Sequence, residues 1–86
     1  MTAKEAMSAE LQEIIDNLKE IQDDKTVPRN VKIKLDETLK VLGENIDLSI
    51  KINKALHNLD EIGDDSNLQP YNRTQIWNIV SMLEKL

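Results

Sequence analysis

Asp23-Asp24-Lys25-Thr26-Val27-Pro28-Arg29-Asn30 returns, altered, as Asp64-Asp65-Ser66-Asn67-Leu68-Gln69-Pro70-Tyr71, and this recurrence decides the fold. Each stretch is a polar turn that ends one apolar-periodic segment and opens the next. Shifted by 41 positions, the sequence matches itself on both sides of the turn without a gap. Met7 falls on Leu48, Leu11 on Ile52, Ile15 on Leu56, Leu18 on Leu59 and Ile21 on Ile62. Beyond the turn, Val27 falls on Leu68, Leu35 on Ile76, Leu39 on Val80 and Leu42 on Leu83. The chain reads as one helical hairpin used twice.

Working outward, the first segment carries Met7, Leu11, Ile14, Ile15, Leu18 and Ile21, the spacing of a one-sided amphipathic helix. It is expected to begin at Thr2, through a Thr2–Glu5 capping box, or at Ser8. The second segment carries Val31, Leu35, Leu39 and Leu42, with Thr26 expected as its N-cap, Pro28 in its first turn and Gly43 as the C′ residue just past its end. The third, expected to be capped by Asp47 and closed by Gly63, carries Leu48, Ile52, Ala55, Leu56, Leu59 and Ile62. The fourth follows Asn67, the counterpart of Thr26, and carries Ile76, Trp77, Ile79, Val80 and Leu83.

Four such helices with short connections predict an all-α, antiparallel four-helix up-and-down bundle made of two repeated helical hairpins. The expected limits are one domain over 1–86, with hairpins over about 2–42 and 47–86 and fraying over 1–7. A two-repeat solenoid is the structural alternative, but two units are too few to bury a continuous stacked core. Formal charge alternates: residues 1–24 carry −5, 25–42 +3, 43–65 −4 and 66–86 +1, which favours neighbours of opposite sign.

The core must be aliphatic, since the chain has one Trp, one Tyr and no Phe. Without cysteine there is neither a disulfide framework nor a thiolate metal site. A net charge of −5 argues against a general nucleic-acid binder, and no apolar run suits a bilayer. A cytoplasmic protein is expected. Asn72-Arg73-Thr74 fits the glycosylation triplet, which means little without an export signal.

Val27-Pro28-Arg29-Asn30, Leu59-Asp60-Glu61-Ile62 and the segment Arg73-Thr74-x-Ile76-Trp77-x-Ile79-x-Ser81-x-Leu83-Glu84 resemble the signature segments of a small archaeal family, uncharacterised protein family 0147. The resemblance covers about Leu11 to the C-terminus in one register. It implies an archaeal cytosolic four-helix bundle and brings no established activity. Leu48, where the family pattern has a proline, and Pro70, one place later than the repeat requires, depart from it.

No catalytic set and no cofactor motif is legible. Two candidate sites remain. Asp23, Asp24, Asp64 and Asp65 would gather near Arg29, Asn30, Asn72 and Arg73 at one end of a bundle, where they could bind a hard cation or a small polar ligand. Such acids equally serve as turn residues near the positive ends of helices, which is the commoner role. Ile33, Ile50, Met82 and Leu86 widen or miss the apolar stripes and are candidates for an interface. His57 falls on the solvent side of its helix, and basic segment 25–42 lacks the aromatic interleaving of a nucleic-acid contact. Trp77 is expected in the core, with an indole N–H that needs an acceptor. The leading expectation is a non-enzymatic module that self-associates or docks a protein through the fourth helix. A small ligand- or metal-binding protein using the Asp-rich turns is the alternative.

Overall fold

The apolar spacing of each segment is realised as helix. The computed structural model describes residues 3–86, with side chains from Met7 onward. Four helices follow in order: α1 (Ala3–Gln22), α2 (Arg29–Gly43), α3 (Leu48–Gly63) and α4 (Pro70–Glu84). No strand occurs among the described residues. Each helix touches two others: α1 packs on α2 and α4, and α3 packs on α2 and α4, with the most extensive contact between α2 and α3. The resulting body measures 40 × 21 × 19 Å. Its radius of gyration of 12.6 Å is close to the about 12 Å of a compact chain this long.

The interior is built from the expected stripes. Ile14, Leu18, Leu35, Leu59, Ile76 and Leu83 are at 0% exposure, and Val27 and Leu68 tuck in from the two turns. Leu11, Ile15, Leu39 and Leu56 lie partly buried against this core. Two polar residues share it. Thr38 is fully buried in the α2 stripe, and its hydroxyl donates to the Lys34 carbonyl at 2.8 Å, which spares an unmet hydroxyl in the interior. Asn72 is fully buried in α4, so the glycosylation triplet it begins is inaccessible in this fold.

Several helix boundaries differ from expectation. Ser8 lies inside α1 rather than at its start, and Thr2 of the anticipated capping box lies outside the described residues. Thr26 and Asn67 are not N-caps: Pro28 and Gln69 occupy those positions, neither with a side-chain cap. Thr26 donates from its backbone N–H (2.9 Å) and hydroxyl (2.6 Å) to Asp24 Oδ1, and the Asn67 N–H donates to Asp65 Oδ1 (2.8 Å). The aspartates therefore close both turns, as acceptors two residues upstream of the donor, a local bond that competes with capping. Asp47 occupies the N-cap position of α3 without a side-chain cap bond. Neither glycine is left-handed: Gly43 and Gly63 end their helices in ordinary backbone conformation.

Gly63 matters in another way. A Cβ at this position would meet the Trp77 indole at 3.2 Å (Cη2) and 3.3 Å (Cζ2). The bare backbone lets the ring come close against the end of α3.

Candidate functional site

The turn cluster forms in part. Asn30, at the start of α2, donates to Asp65 Oδ2 across the molecule at 2.6 Å, and Asn72, at the start of α4, donates to Asp24 Oδ2 at 3.1 Å. Each asparagine stands two residues after a proline, Pro28 or Pro70, so the one-residue displacement of the second proline is matched by its asparagine. The two turns are thereby cross-tied at one end of the molecule. The Thr26 hydroxyl and N–H, then Asn72, hold the Asp24 carboxyl below its usual range, because all three donate to its charged form.

Arg73 turns inward as well. Its Nε donates to the Gly63 carbonyl at 2.9 Å, and its Nη2 to the carbonyls of Asp65 at 2.9 Å and Leu68 at 3.4 Å. These bonds satisfy acceptors left open where α3 ends. Asp23, Arg29 and Asp64 are exposed. Among the described residues, no three His, Cys, Asp or Glu side chains gather in a metal-holding group. The cluster's ordered members are occupied with holding the turns. Two buried oxygens at this end lack a hydrogen bond: Gln22 Oε1, where α1 ends, and Asn72 Oδ1, whose Nδ2 also donates to Gln75 Oε1 at 2.9 Å.

The four interface candidates are dispersed. Ile33 and Ile50 are 55% and 46% exposed. An ion pair between Lys34 of α2 and Glu61 of α3 marks the register of the two helices, and it lifts the lysine's pKa and lowers the glutamate's. In that register Ile33 and Ile50 lie about 18 Å apart along the helix axes, at 1.5 Å per residue. Met82 and Leu86 are partly buried against the core, and Asn17 Nδ2 lies 3.7 Å from the Met82 sulfur. His57 is exposed and pairs with Glu61 at 2.9 Å.

Trp77 is not a core residue. It is 44% exposed, and Tyr71 is 68% exposed, so both aromatic residues of the chain face solvent from α4. The reason is angular. At 100° per residue, Trp77 points about 110° away from the mean direction of Ile76, Ile79, Val80 and Leu83, outside the buried arc. Exposed Thr74, Asn78 and Ser81 share its surface with Tyr71, and the five side chains span an arc of about 120°. Residues 74–83 contain no charge in a chain that is 31% charged. The outward face of α4 is therefore an uncharged strip bearing two exposed aromatics. That combination was readable from a helical wheel and from the gap in charge, although the type of residue 77 suggested burial.

Elsewhere the molecule offers shallow hollows. One of about 170 Å³ lies between α1 and α4, lined by Asn17, Glu20, Ile21, Gln75, Asn78 and Ile79. A second, of about 270 Å³, continues along the same seam beside Glu10, Glu13, Met82 and Lys85. Among the described residues no helix is long and apolar enough to cross a membrane.

A small all-α protein of four helices, with its polar turns cross-tied and an aromatic strip on its last helix, is the class these features define. The chain belongs to the uncharacterised protein family UPF0147, which it matches across residues 1–86. It is 43% identical over 70 residues to the UPF0147 protein MJ1419 of Methanocaldococcus jannaschii, a match covering 80% of this chain and 75% of that one. With a UPF0147 protein of Archaeoglobus fulgidus it shares 37% identity over 76 residues, covering 88% and 87%. Among solved structures it is similar to the crystal structure of the unknown function protein MMP1188, with a TM-score of 0.87 and 38% identity over 92% of this chain and 91% of that one. These relatives support the family and the helical fold, and none of their names assigns an activity.

Proposed function

We propose that this protein is a non-enzymatic interaction module of the cytoplasm that docks a protein through the outward face of α4. The observation that carries this reading is the exposure of both aromatic residues, Tyr71 and Trp77, on a strip without charge. Interface centres are depleted in charged residues and enriched in Trp and Tyr. A monomer with 16 acidic and 11 basic residues has ample charge to cover such a face, and here it does not. The scaffold suits the task. The ring of contacts α1–α2–α3–α4–α1 supports a single domain over 1–86, an antiparallel up-and-down bundle of two like hairpins (about 2–42 and 47–86), and it leaves α4 one side free.

The alternative, a ligand or metal site at the Asp-rich turns, has less support. Asp24 and Asp65 are engaged by Thr26, Asn67 and the crossing asparagines, and Arg73 is engaged by carbonyls.

The test is affinity capture from an extract of the source cells with the native chain, Tyr71→Ala/Trp77→Ala and Ile33→Ala, each shown to be helical beforehand. Proteins held by the native chain and by Ile33→Ala should be lost from the double variant. The same set retained on all three would remove α4 as the docking face.

A further inference from the structure

We infer that the occupant of the α4 face is a basic amphipathic helix of another protein, seated with its apolar side on Tyr71 and Trp77 and its cations against acidic edges on both flanks. This rests on the reading of α4 as a docking face and adds the chemistry of what docks.

The flanks carry the argument. On the α1 side, Glu20 lines one hollow of the α1–α4 seam with Asn78, and Glu10 and Glu13 line the other with Met82. On the α3 side, Asp60 stands one helical turn before Gly63, the residue on which the Trp77 ring rests, and Asp64 follows it; both aspartates are exposed. Carboxylates thus stand on both flanks of the uncharged strip, along the α1 side and beside Trp77 on the α3 side. Of the cations on the fourth helical segment, Arg73 is turned in to backbone carbonyls, and Lys85 lies at the far end of the strip.

Tyr71 to Ser81 spans about 15 Å of helix axis, or nearly three turns, enough to seat apolar anchors of a helix at i, i+3, i+4 and i+7. Lysine or arginine beside those anchors would meet the carboxylates and could also lie over the faces of Trp77 and Tyr71. The same edges disfavour a second copy: a two-fold contact through α4 would set the edge carboxylates of the two copies against each other. They disfavour nucleic acid for the same reason of sign.

Three synthetic helical peptides test this, free of tryptophan and sharing one leucine face, with polar faces of lysine and arginine, of glutamine, or of glutamate. Trp77, the one tryptophan, reports binding by its fluorescence. The basic peptide should bind about tenfold more tightly than the glutamine peptide, should lose affinity as salt rises, and the glutamate peptide should be weakest. Glu13→Lys/Glu20→Lys should weaken the basic peptide about tenfold. Glu37→Lys/Glu44→Lys, an equal change of net charge on α2 and its C-cap, a helix that does not touch α4, should weaken it less than about threefold. If the first pair disturbs folding, Glu13→Gln/Glu20→Gln serves, with a smaller loss in the same direction.

Equal weakening by the two lysine pairs would show attraction to net charge alone and overturn the inference. A preference for the glutamine or glutamate peptide that still needs Trp77 would overturn it and leave α4 docking intact. So would a concentration-dependent dimer dissolved by Trp77→Ala. No binding by any peptide, with a monomer at all concentrations, would overturn both readings.

Discussion

Alanine at position 63 should be nearly neutral in the native protein and stabilising once Trp77 has been removed. Gly63 ends α3 without a positive φ, so alanine fits its backbone and removes unfolded-state freedom, a gain of about 0.5–1 kcal/mol. Against this, the new Cβ would sit 3.2 and 3.3 Å from two indole carbons and push the ring by a few tenths of an ångström. A ring that is 44% exposed can tilt, so this costs about as much as the alanine gains, and the net change should stay within about 0.5 kcal/mol. Trp77→Ala alone uncovers roughly 100–140 Å², about 3 kcal/mol at 25 cal/mol per Å². Alanine's better helix propensity and the compactness of the unfolded chain lower this to about 2 kcal/mol, below the roughly 3–5 of a buried tryptophan. In the Trp77→Ala background, Gly63→Ala should then add its full gain of about 0.5–1 kcal/mol. Urea unfolding of the four proteins, followed by helical circular dichroism, measures the cycle. Additivity within about 0.3 kcal/mol would mean that the indole does not lie on Gly63, and the placement of Trp77 would have to be abandoned.

Other predictions follow from the core and the turns. Leu59→Ala, at a site with 0% exposure, should cost about 2.7–5 kcal/mol in urea unfolding; a cost under about 1 kcal/mol would contradict its burial. Arg73→Met keeps the aliphatic stem and deletes the bonds to Gly63, Asp65 and Leu68, so thermal unfolding should show a loss of about 1–2 kcal/mol, and an unchanged midpoint would deny those bonds a stabilising role. The depressed pKa of Asp24 makes its contribution complete above the unfolded value near 3.8 and lost as pH falls through the lower folded value. Stability should therefore fall more steeply in the native protein than in Asp24→Asn on acidification through that window; parallel curves would refute the linkage. Thr38→Val should be neutral or slightly stabilising, within about 1 kcal/mol, because the Lys34 carbonyl keeps its helical partner.

The aliphatic frame was legible because periodicity reports burial directly: Leu18, Leu35, Leu59 and Ile76 recur at helical spacing and all reach 0% exposure. Residue type misled where it was weighed above direction. Trp77 is apolar but lies outside the buried arc, while Thr38 and Asn72 are polar and lie within it. An angular reading places all three correctly. The turns posed a different difficulty. Thr26 and Asn67 have the chemistry of N-caps, and only the path of the chain shows that Asp24 and Asp65 claim their donors first. The repeat and the bundle topology gather Asn30 and Asn72 with the two Asp pairs, but only the folded chain shows which asparagine takes which aspartate, across 35 and 48 positions.

Those crossing bonds make the two ends of the molecule unequal. At one end, two connections are stitched to each other; at the other, only residues 44–47 join neighbouring helices. Thermal opening should therefore begin at the unstitched end and travel toward the turns. Among the hydrogen-bonded backbone amides, those one turn past the prolines, from Lys32 in α2 and Arg73 in α4, should exchange with deuterium more slowly than those in the last turns of the same helices. A partner seated along α4 would span this gradient, gripping a firm root and steadying a looser tip.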